Sequence, residues 1–194
     1  MVSRREFLRG GAVAGMGTML PAGALIAGQR PAGSHCAAFC VTGCDEGEAF
    51  LQGLQGRAGE IHGTSADPGA VLAVLPRVLQ AGQPLIGLTP DSVLFVVERQ
   101  AEAAGYRNVF HGDHRFSDPR HLEHRLDGDA RHVEALGATL SGSDDWPATL
   151  ATALSRLAAT HPAAQPRRQR RIDQPAKLGR VSPGHLVSWV FVPA

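Results

Sequence analysis

Histidines and carboxylates crowd into one short stretch of this chain. Five of its nine histidines lie within 22 residues, at His111, His114, His121, His124 and His132. Imidazole and carboxylate together bind zinc or copper, so the stretch predicts a metal site. The expected metal ligands are His111, Asp113, His114 and His124. Two other interpretations stay open, namely a polar hairpin whose histidines face water and a metal-free site for a ligand or for acid-base chemistry.

The spacing of these histidines limits how they can combine. His111 and His114 are three residues apart, and so are His121 and His124. On a strand, side chains alternate between the two faces, so the members of each pair would point to opposite sides. A metal site would therefore take one histidine from each pair, for example His111 together with Asp113.

Three cysteines also invite a chemical interpretation. Cys36, Cys40 and Cys44 are four residues apart, which on a helix would place them on one face. The segment is richer in strand formers, however, and no second ligand pair completes a structural zinc site. The alternatives are buried or disulfide-bonded cysteines without a further role, and redox or metal chemistry.

A second set of polar residues follows the ends of the predicted strands. Ligands of open α/β sheets bind beyond the carboxyl ends of the strands, where helix N-termini present free N–H groups. The expected ligand-binding residues are Thr42, Asp45, Thr64, Ser65, Thr89, Asp91, Ser92 and His111. Helix capping alone explains part of this pattern, because Ser, Thr and Asp stabilise helix N-termini without any ligand.

These candidates depend on strands and helices that alternate along the chain. The pattern predicts strands over 37–43, 60–63, 84–88 and 108–110, with helices after the first three. The expected fold is α/β, with a Rossmann-like (flavodoxin-like), mostly parallel sheet and helices on both faces. Pro76 lies inside the second predicted helix, which it should kink or split.

The second half of the chain is less regular. Residues 120–126 predict a hairpin with the fourth strand, and residues 146–159 predict an amphipathic helix. Residues 160–183 predict a solvated Pro/Arg-rich loop, because the RRQRR run has no aromatic platform that would indicate nucleic-acid binding. The apolar residues 185–192 predict a last strand, at the edge of the same sheet or returning along it.

The N-terminus reads SRREFLRGGAVAGMG, a basic segment followed by an apolar one. Its glycines do not form a nucleotide loop, since charged residues stand where that motif requires a buried strand. Residues 3–8 resemble the S-R-R-x-F-L core of twin-arginine (Tat) signal peptides, with Arg4, Arg5, Phe7 and Leu8 at the matching positions. The resemblance implies that the chain is exported in folded form by the twin-arginine translocase, to the bacterial periplasm or beyond.

This interpretation divides the chain into three parts. A signal peptide covers 1–24, a mobile lead-in 25–36 and a single α/β domain 37–194. The apolar run of the signal is too short to span a bilayer, and we expect no transmembrane segment in the mature chain. The run ending at Cys44 looks like a lipobox, but it lies far beyond the apolar region that should adjoin it.

Composition and rhythm together favour a binding role. The net charge of +1 gives no electrostatic case for nucleic acid or an anionic membrane. Residues 37–111 resemble one lobe of the type I periplasmic solute-binding proteins, although the chain lacks the length for a second lobe. The sequence thus predicts an exported, non-catalytic binding or accessory protein, with the translocase and a periplasmic complex as its partners.

The alternative is a small metal-dependent periplasmic enzyme or metal carrier that uses the cluster from His111 to His132. The mature chain contains no G-x-S-x-G, H-E-x-x-H or Walker motif, which weakens the enzyme hypothesis.

Overall fold

The computed structural model describes residues 36–65, 67–160, 166–176 and 180–194. The signal residues Arg4, Arg5, Phe7 and Leu8 lie outside this part of the chain. The strands are β1 (Ala37–Val41), β2 (Glu60–Thr64), β3 (Leu85–Thr89), β4 (Tyr106–Asp118), β5 (His121–Asp129), β6 (Arg167–Pro175) and β7 (His185–Pro193). The helices are α1 (Asp45–Gly53), α2 (Gly69–Gln80), α3 (Asp91–Ala103), α4 (Ala130–Leu140) and α5 (Trp146–Thr160).

The fold is mixed α/β, with the seven strands in one sheet in the order β2-β1-β3-β7-β4-β5-β6. The first three strands are parallel, as the alternation of strands and helices predicts. β1 and β3 are apolar and buried along their whole length, which is typical of strands covered on both faces. Helix α2 runs through Pro76 without being split, contrary to one of the two expectations for that residue.

The remaining pairings are antiparallel, so the mostly parallel sheet of the prediction is limited to β1, β2 and β3. Strand β7 lies in the middle of the sheet, between β3 and β4, and not at its edge. The physical reason is that β7 is apolar on both sides, with Leu186 to Val192 buried, and such a strand needs neighbours and cover on each side.

The predicted loop over 160–183 is a second correction, because its RRQRR run belongs to strand β6. The arginines of this edge strand are paired with acids of its neighbours. Arg167 contacts Asp127 of β5 at 2.7 Å, and Arg168 contacts Glu134 of α4 at 3.2 Å. Ion pairs with the neighbouring strand and helix take the place of water around these arginines. Charged side chains also protect an edge strand from pairing with another chain.

Helices cover both faces of the sheet. Helices α1, α4 and α5 share one apolar core with the sheet, and α2 and α3 share the other. The second core is centred on Trp189, whose ring lies over Gly87 and whose indole N–H donates to Thr89 Oγ1 at 3.0 Å. A Cβ at Gly87 would lie 2.2 Å from this ring, so glycine is required there.

Candidate functional site

A cavity of about 830 Å³ opens at the sheet edge where the parallel strands end. Its walls are the first turn of α1, the turn between β4 and β5, the segment leading into α5 and the end of β6. Three of these segments lie at one edge of the sheet, because α1 follows the end of β1 and because β4 and β6 run in the same direction as β1. The segment leading into α5 completes the wall at that edge. The size is within the usual range of small-molecule sites.

The cavity wall is acidic. Four carboxylates line it, from Asp45 and Glu46 at the start of α1 and from Asp144 and Asp145 before α5, whereas Arg120 is the only cation among the described lining residues. Both pairs stand at helix N-termini, where backbone N–H groups favour negative charge. Helix geometry therefore explains why acids occur here, and it leaves open what their charge is used for.

Glu46 differs from the other three acids because it is only 6% exposed. Its Oε1 accepts a hydrogen bond from the Ser182 hydroxyl. Its Oε2 is buried and has no well-aligned hydrogen-bond donor among the described residues, although the Cys44 thiol lies close enough to interact with the carboxylate. A buried carboxylate oxygen without a donor is costly, since the desolvation of a charged group is not compensated. Such a group marks a site that a ligand could complete.

The backbone around Glu46 is held in place from three sides. The N–H of Asp45 donates to the carbonyl of Val181 at 3.0 Å, and Asp45 Oδ2 accepts from the N–H of Arg180 at 2.8 Å. Behind the helix, a Cβ on Gly47 would lie 2.0 Å from the carbonyl oxygen of Val41, so only glycine lets α1 approach β1 this closely. The first turn of α1 is thus fixed between β1 and the segment before β7.

Trp146 lies between this cavity and a second polar group of residues. Its indole lines the cavity, and its ring centroid is 4.8 Å from that of His114 and 5.2 Å from that of His124. The two histidines face each other across β4 and β5, with their Nδ1 atoms 2.6 Å apart. One ring must donate the proton of this hydrogen bond and the other must accept it.

This histidine pair is closed off from solvent. His114 Nε2 is also hydrogen-bonded to the Ser188 hydroxyl at 2.7 Å, and His114, His124 and Ser188 are all buried. Space for the His114 ring depends on Gly112, where a Cβ would lie 2.5 Å from Ser188 Oγ. His124 Nε2 is buried without a hydrogen-bond partner within the described part of the chain.

Burial keeps both histidines neutral. It lowers the pKa of His124 to about 4. Burial, and secondly the neighbouring His124, holds the pKa of His114 well below its usual range. A neutral, solvent-excluded pair can exchange a proton internally, but neither histidine lines the cavity. We therefore assign the pair a structural role.

The structure divides the expected metal ligands into two pairs on opposite faces of the sheet. His114 and His124 lie on the face covered by α5, whereas His111 and Asp113 lie on the other face, because side chains alternate along β4. Asp113 is paired there with His185 at 2.8 Å. Within the described ranges, no group of three or more His, Cys, Asp or Glu side chains could hold a metal ion. The four residues therefore do not form one site.

Most of the expected ligand-binding residues do not line the cavity. Of that set, Asp45 is the one described residue in the wall. The hydroxyl of Thr42 donates to the carbonyl of Thr64 at 3.1 Å, and Thr89 is buried under Trp189. The remaining members lie at other strand ends or on the far face of the sheet, and they are Ser65, Asp91, Ser92 and His111.

Sequence reasoning missed most of the wall. The sequence pattern gave Glu46 no role in the site, and it placed Trp146 only at the start of a predicted helix. The signal that could have identified them is the repetition of two consecutive acids at a helix start, at 45–46 and at 144–145. Their convergence depends on α5 lying against α1, where the backbone of Ala148 is so close that a Cβ on Gly53 would overlap it.

The three cysteines are free and buried. Burial raises the pKa of the Cys36 thiol to about 11, and it also raises the pKa of Cys40 and of Cys44. Cys44 caps α1 by accepting from the N–H of Gly47 at 3.4 Å. A thiol with a raised pKa is a poor nucleophile and a poor metal ligand, so these side chains serve packing and capping.

Among the described helices, none is long and apolar enough to cross a membrane. Comparisons with family models, with curated proteins and with solved structures gave no match to this chain.

Proposed function

We propose that this chain is an exported binding or accessory protein that holds a small ligand in the cavity beside α1. The single observation that carries the proposal is Glu46, a buried carboxylate that lines the cavity and has one oxygen without a partner among the described residues. A buried charge left half-satisfied costs stability, and such a cost is commonly retained at functional sites.

The arrangement of the first strands supports this position for the site. The order β2-β1-β3 matches the start of a flavodoxin-like, Rossmann-like sheet, and the chain changes sides between β1 and β3. Helix α1 covers one face, and α2 and α3 cover the other. In such folds ligands bind at the carboxyl ends of the strands near this switch point, which is where α1 begins.

The binding proposal includes export by the twin-arginine route, which the motif over residues 3–8 supports. Replacing Arg4 and Arg5 together by lysine in the full chain should retain the protein in the cytoplasmic fraction of a bacterial host. Export of the double variant at the level of the original chain would contradict this route.

The metal-dependent enzyme or metal carrier has no comparable support, because its four expected ligands lie on two faces of the sheet. We therefore retain the binding role alone.

A cavity-filling substitution tests the binding role without knowledge of the ligand. Ala49 lines the cavity on α1, so Ala49→Trp would occupy its space. The matched control is Ala138→Trp on α4, which is exposed and lines none of the described cavities. A library of small metabolites, screened by the rise in melting temperature, should give ligands that stabilise the original chain and the Ala138 variant but not the Ala49 variant. If every ligand found stabilises both variants equally, the cavity is not the binding site.

A further inference from the structure

The acids of the cavity select the charge of its ligand. Four carboxylates and one guanidinium line the wall, so the cavity is strongly negative. Glu46 is the innermost of the acids, whereas Asp45, Asp144 and Asp145 are exposed. Clefts lined by one sign of charge concentrate ions of the opposite sign. A ligand that uses this field must be a cation.

A single metal ion does not fit the spacing of these acids. An ion such as calcium needs six to eight oxygen ligands that converge at about 2.3–2.6 Å from one point. Within the described chain, no three acidic, histidine or cysteine side chains converge closely enough for a metal ion. The acids come instead from two separate helix starts, which suits positive charges that are spread along one ligand.

The rest of the wall carries no charge and is mostly apolar, with Ser143 and Gln174 as its polar members. Ala49, Trp146, Pro147, Pro175 and Ala176 lie between and beside the acids. Methylene groups bury favourably against such side chains, because apolar surface is removed from water. A wall that combines separated carboxylates with apolar patches is complementary to amino groups joined by short aliphatic chains.

We propose that the ligand is an aliphatic polyamine, with one ammonium group beside the Glu46 side chain and another beside Asp144 and Asp145. This inference rests on the proposed function, because it names the class of ligand for the same cavity. An ammonium group beside Glu46 would compensate the charge of a carboxylate whose Oε2 is buried without a donor among the described residues. Charge-assisted hydrogen bonds between ammonium groups and carboxylates are the strong ones.

Calorimetric titration of the purified full chain tests the proposal, with spermidine as the polyamine, glutarate as an anionic probe and glucose as a neutral one. Spermidine should bind, and Glu46→Gln should weaken its binding about tenfold or more, as expected for the loss of a buried charged partner. The matched control is Glu48→Gln, which removes an exposed acid from the same helix turn outside the cavity. It should change the affinity about twofold or less.

Asp144→Asn is a second test that does not depend on folding of the Glu46 variant, because Asp144 is exposed. It should weaken spermidine binding severalfold and reduce its dependence on salt. Equal weakening by Glu46→Gln and Glu48→Gln would show general charge attraction and overturn the proposal, as would the absence of spermidine binding. If glutarate or glucose binds in its place and Ala49→Trp abolishes that binding, the cavity is a ligand site of another class, so the proposed function survives without the polyamine.

Discussion

The indole of Trp146 lies between two buried polar groups, which differ in their charge and in their contact with the cavity. On one side, His114 and His124 are neutral, and His114 is hydrogen-bonded to His124 at 2.6 Å and to Ser188 at 2.7 Å. His124 Nε2 is unpartnered among the described residues, but His124 does not line the cavity. On the other side, Glu46 lines the cavity and carries a carboxylate with one oxygen unpartnered among the described residues. A neutral network that is not in contact with the cavity acts through the stability of the fold, whereas a charged group at the cavity wall is placed to attract a ligand. The histidine pair therefore serves the fold, whereas Glu46 is the candidate for function.

Removal of the Trp146 indole should have the largest effect on the stability of the fold. Trp146→Ala deletes a nearly buried ring that contacts both histidines, and large-to-small substitutions of this kind cost about 3–5 kcal/mol. Water would then reach His124, and its pKa should rise from about 4 towards the ordinary value of 6.5. Urea unfolding measures the first effect and an NMR titration the second. Leu72→Ala, at a side chain that is 48% exposed, is the control and should cost about 0.5 kcal/mol or less.

A loss below about 1 kcal/mol in Trp146→Ala, with unchanged histidine titration, would contradict the separating role of the indole.

The second largest effect should be a loss of stability in acid, caused by the buried histidine pair. Because the folded pKa of His124 is about 4 and its ordinary value is 6.5, the unfolded chain binds a proton that the folded chain does not. This contribution to the free energy of unfolding is fully present above pH 6.5 and is lost as the pH falls through about 4. Its full size is about 3 kcal/mol, and the lowered pKa of His114 acts in the same direction.

Urea unfolding at a series of pH values between 7 and 4 measures this dependence. His124→Phe should flatten it, whereas His121→Gln, at a mostly exposed histidine of the same strand that is paired with Asp118, should retain most of it. A slope that is the same in His124→Phe as in the original chain would show that the histidine pair does not cause it.

The smallest expected effects on stability come from substitutions of Ser188 and Glu46, one on each side of Trp146. Ser188→Ala leaves His114 Nε2 without its partner and should lower the free energy of unfolding by about 1–3 kcal/mol. Glu46→Gln removes a charge that the fold leaves half-satisfied, so it should change that free energy by about 1 kcal/mol or less, or raise it. Urea unfolding of both variants at neutral pH compares the two effects. A larger loss in Glu46→Gln than in Ser188→Ala would make Glu46 a structural residue.

Much of the parallel half of the sheet could be predicted because its signals are local. Strands β1 and β3 are continuous apolar runs, and α3 begins after Thr89 and Pro90 with apolar residues at helical spacing. The central position of β7 could also have been predicted, since an apolar strand without alternation requires neighbours on both sides.

Strand β6 and helix α4 could not be predicted with the same means. Four arginines in five residues look like a solvated loop until their partners are known, and those partners lie 36 to 42 residues earlier for Arg167, Gln169 and Arg170. Helix α4, which begins at Ala130 after its cap at Asp129, was not predicted at all. Pairings at such separations are tertiary and leave no local pattern.

The candidate site followed the same division. The sequence indicated the correct edge of the sheet and one wall residue, Asp45, because strand ends and helix starts can be located from local patterns. It did not indicate Glu46 as a site residue, since the burial of that side chain depends on Ser182 of the segment before β7. The sequence also grouped His111, His114 and His124 into one metal site, although they lie on two faces of the sheet. Their division between the faces follows from the register of β4 with β5 and β7.

The role of the acidic cavity can be tested by a calorimetric titration of spermidine into the original chain and the variants Glu46→Gln and Ser188→Ala. We expect Glu46→Gln to weaken binding about tenfold or more, whereas Ser188→Ala, on the histidine side of Trp146, should change it about twofold or less. Equal affinities in all three proteins, or a greater loss in Ser188→Ala, would contradict the assignment of function to the acidic cavity.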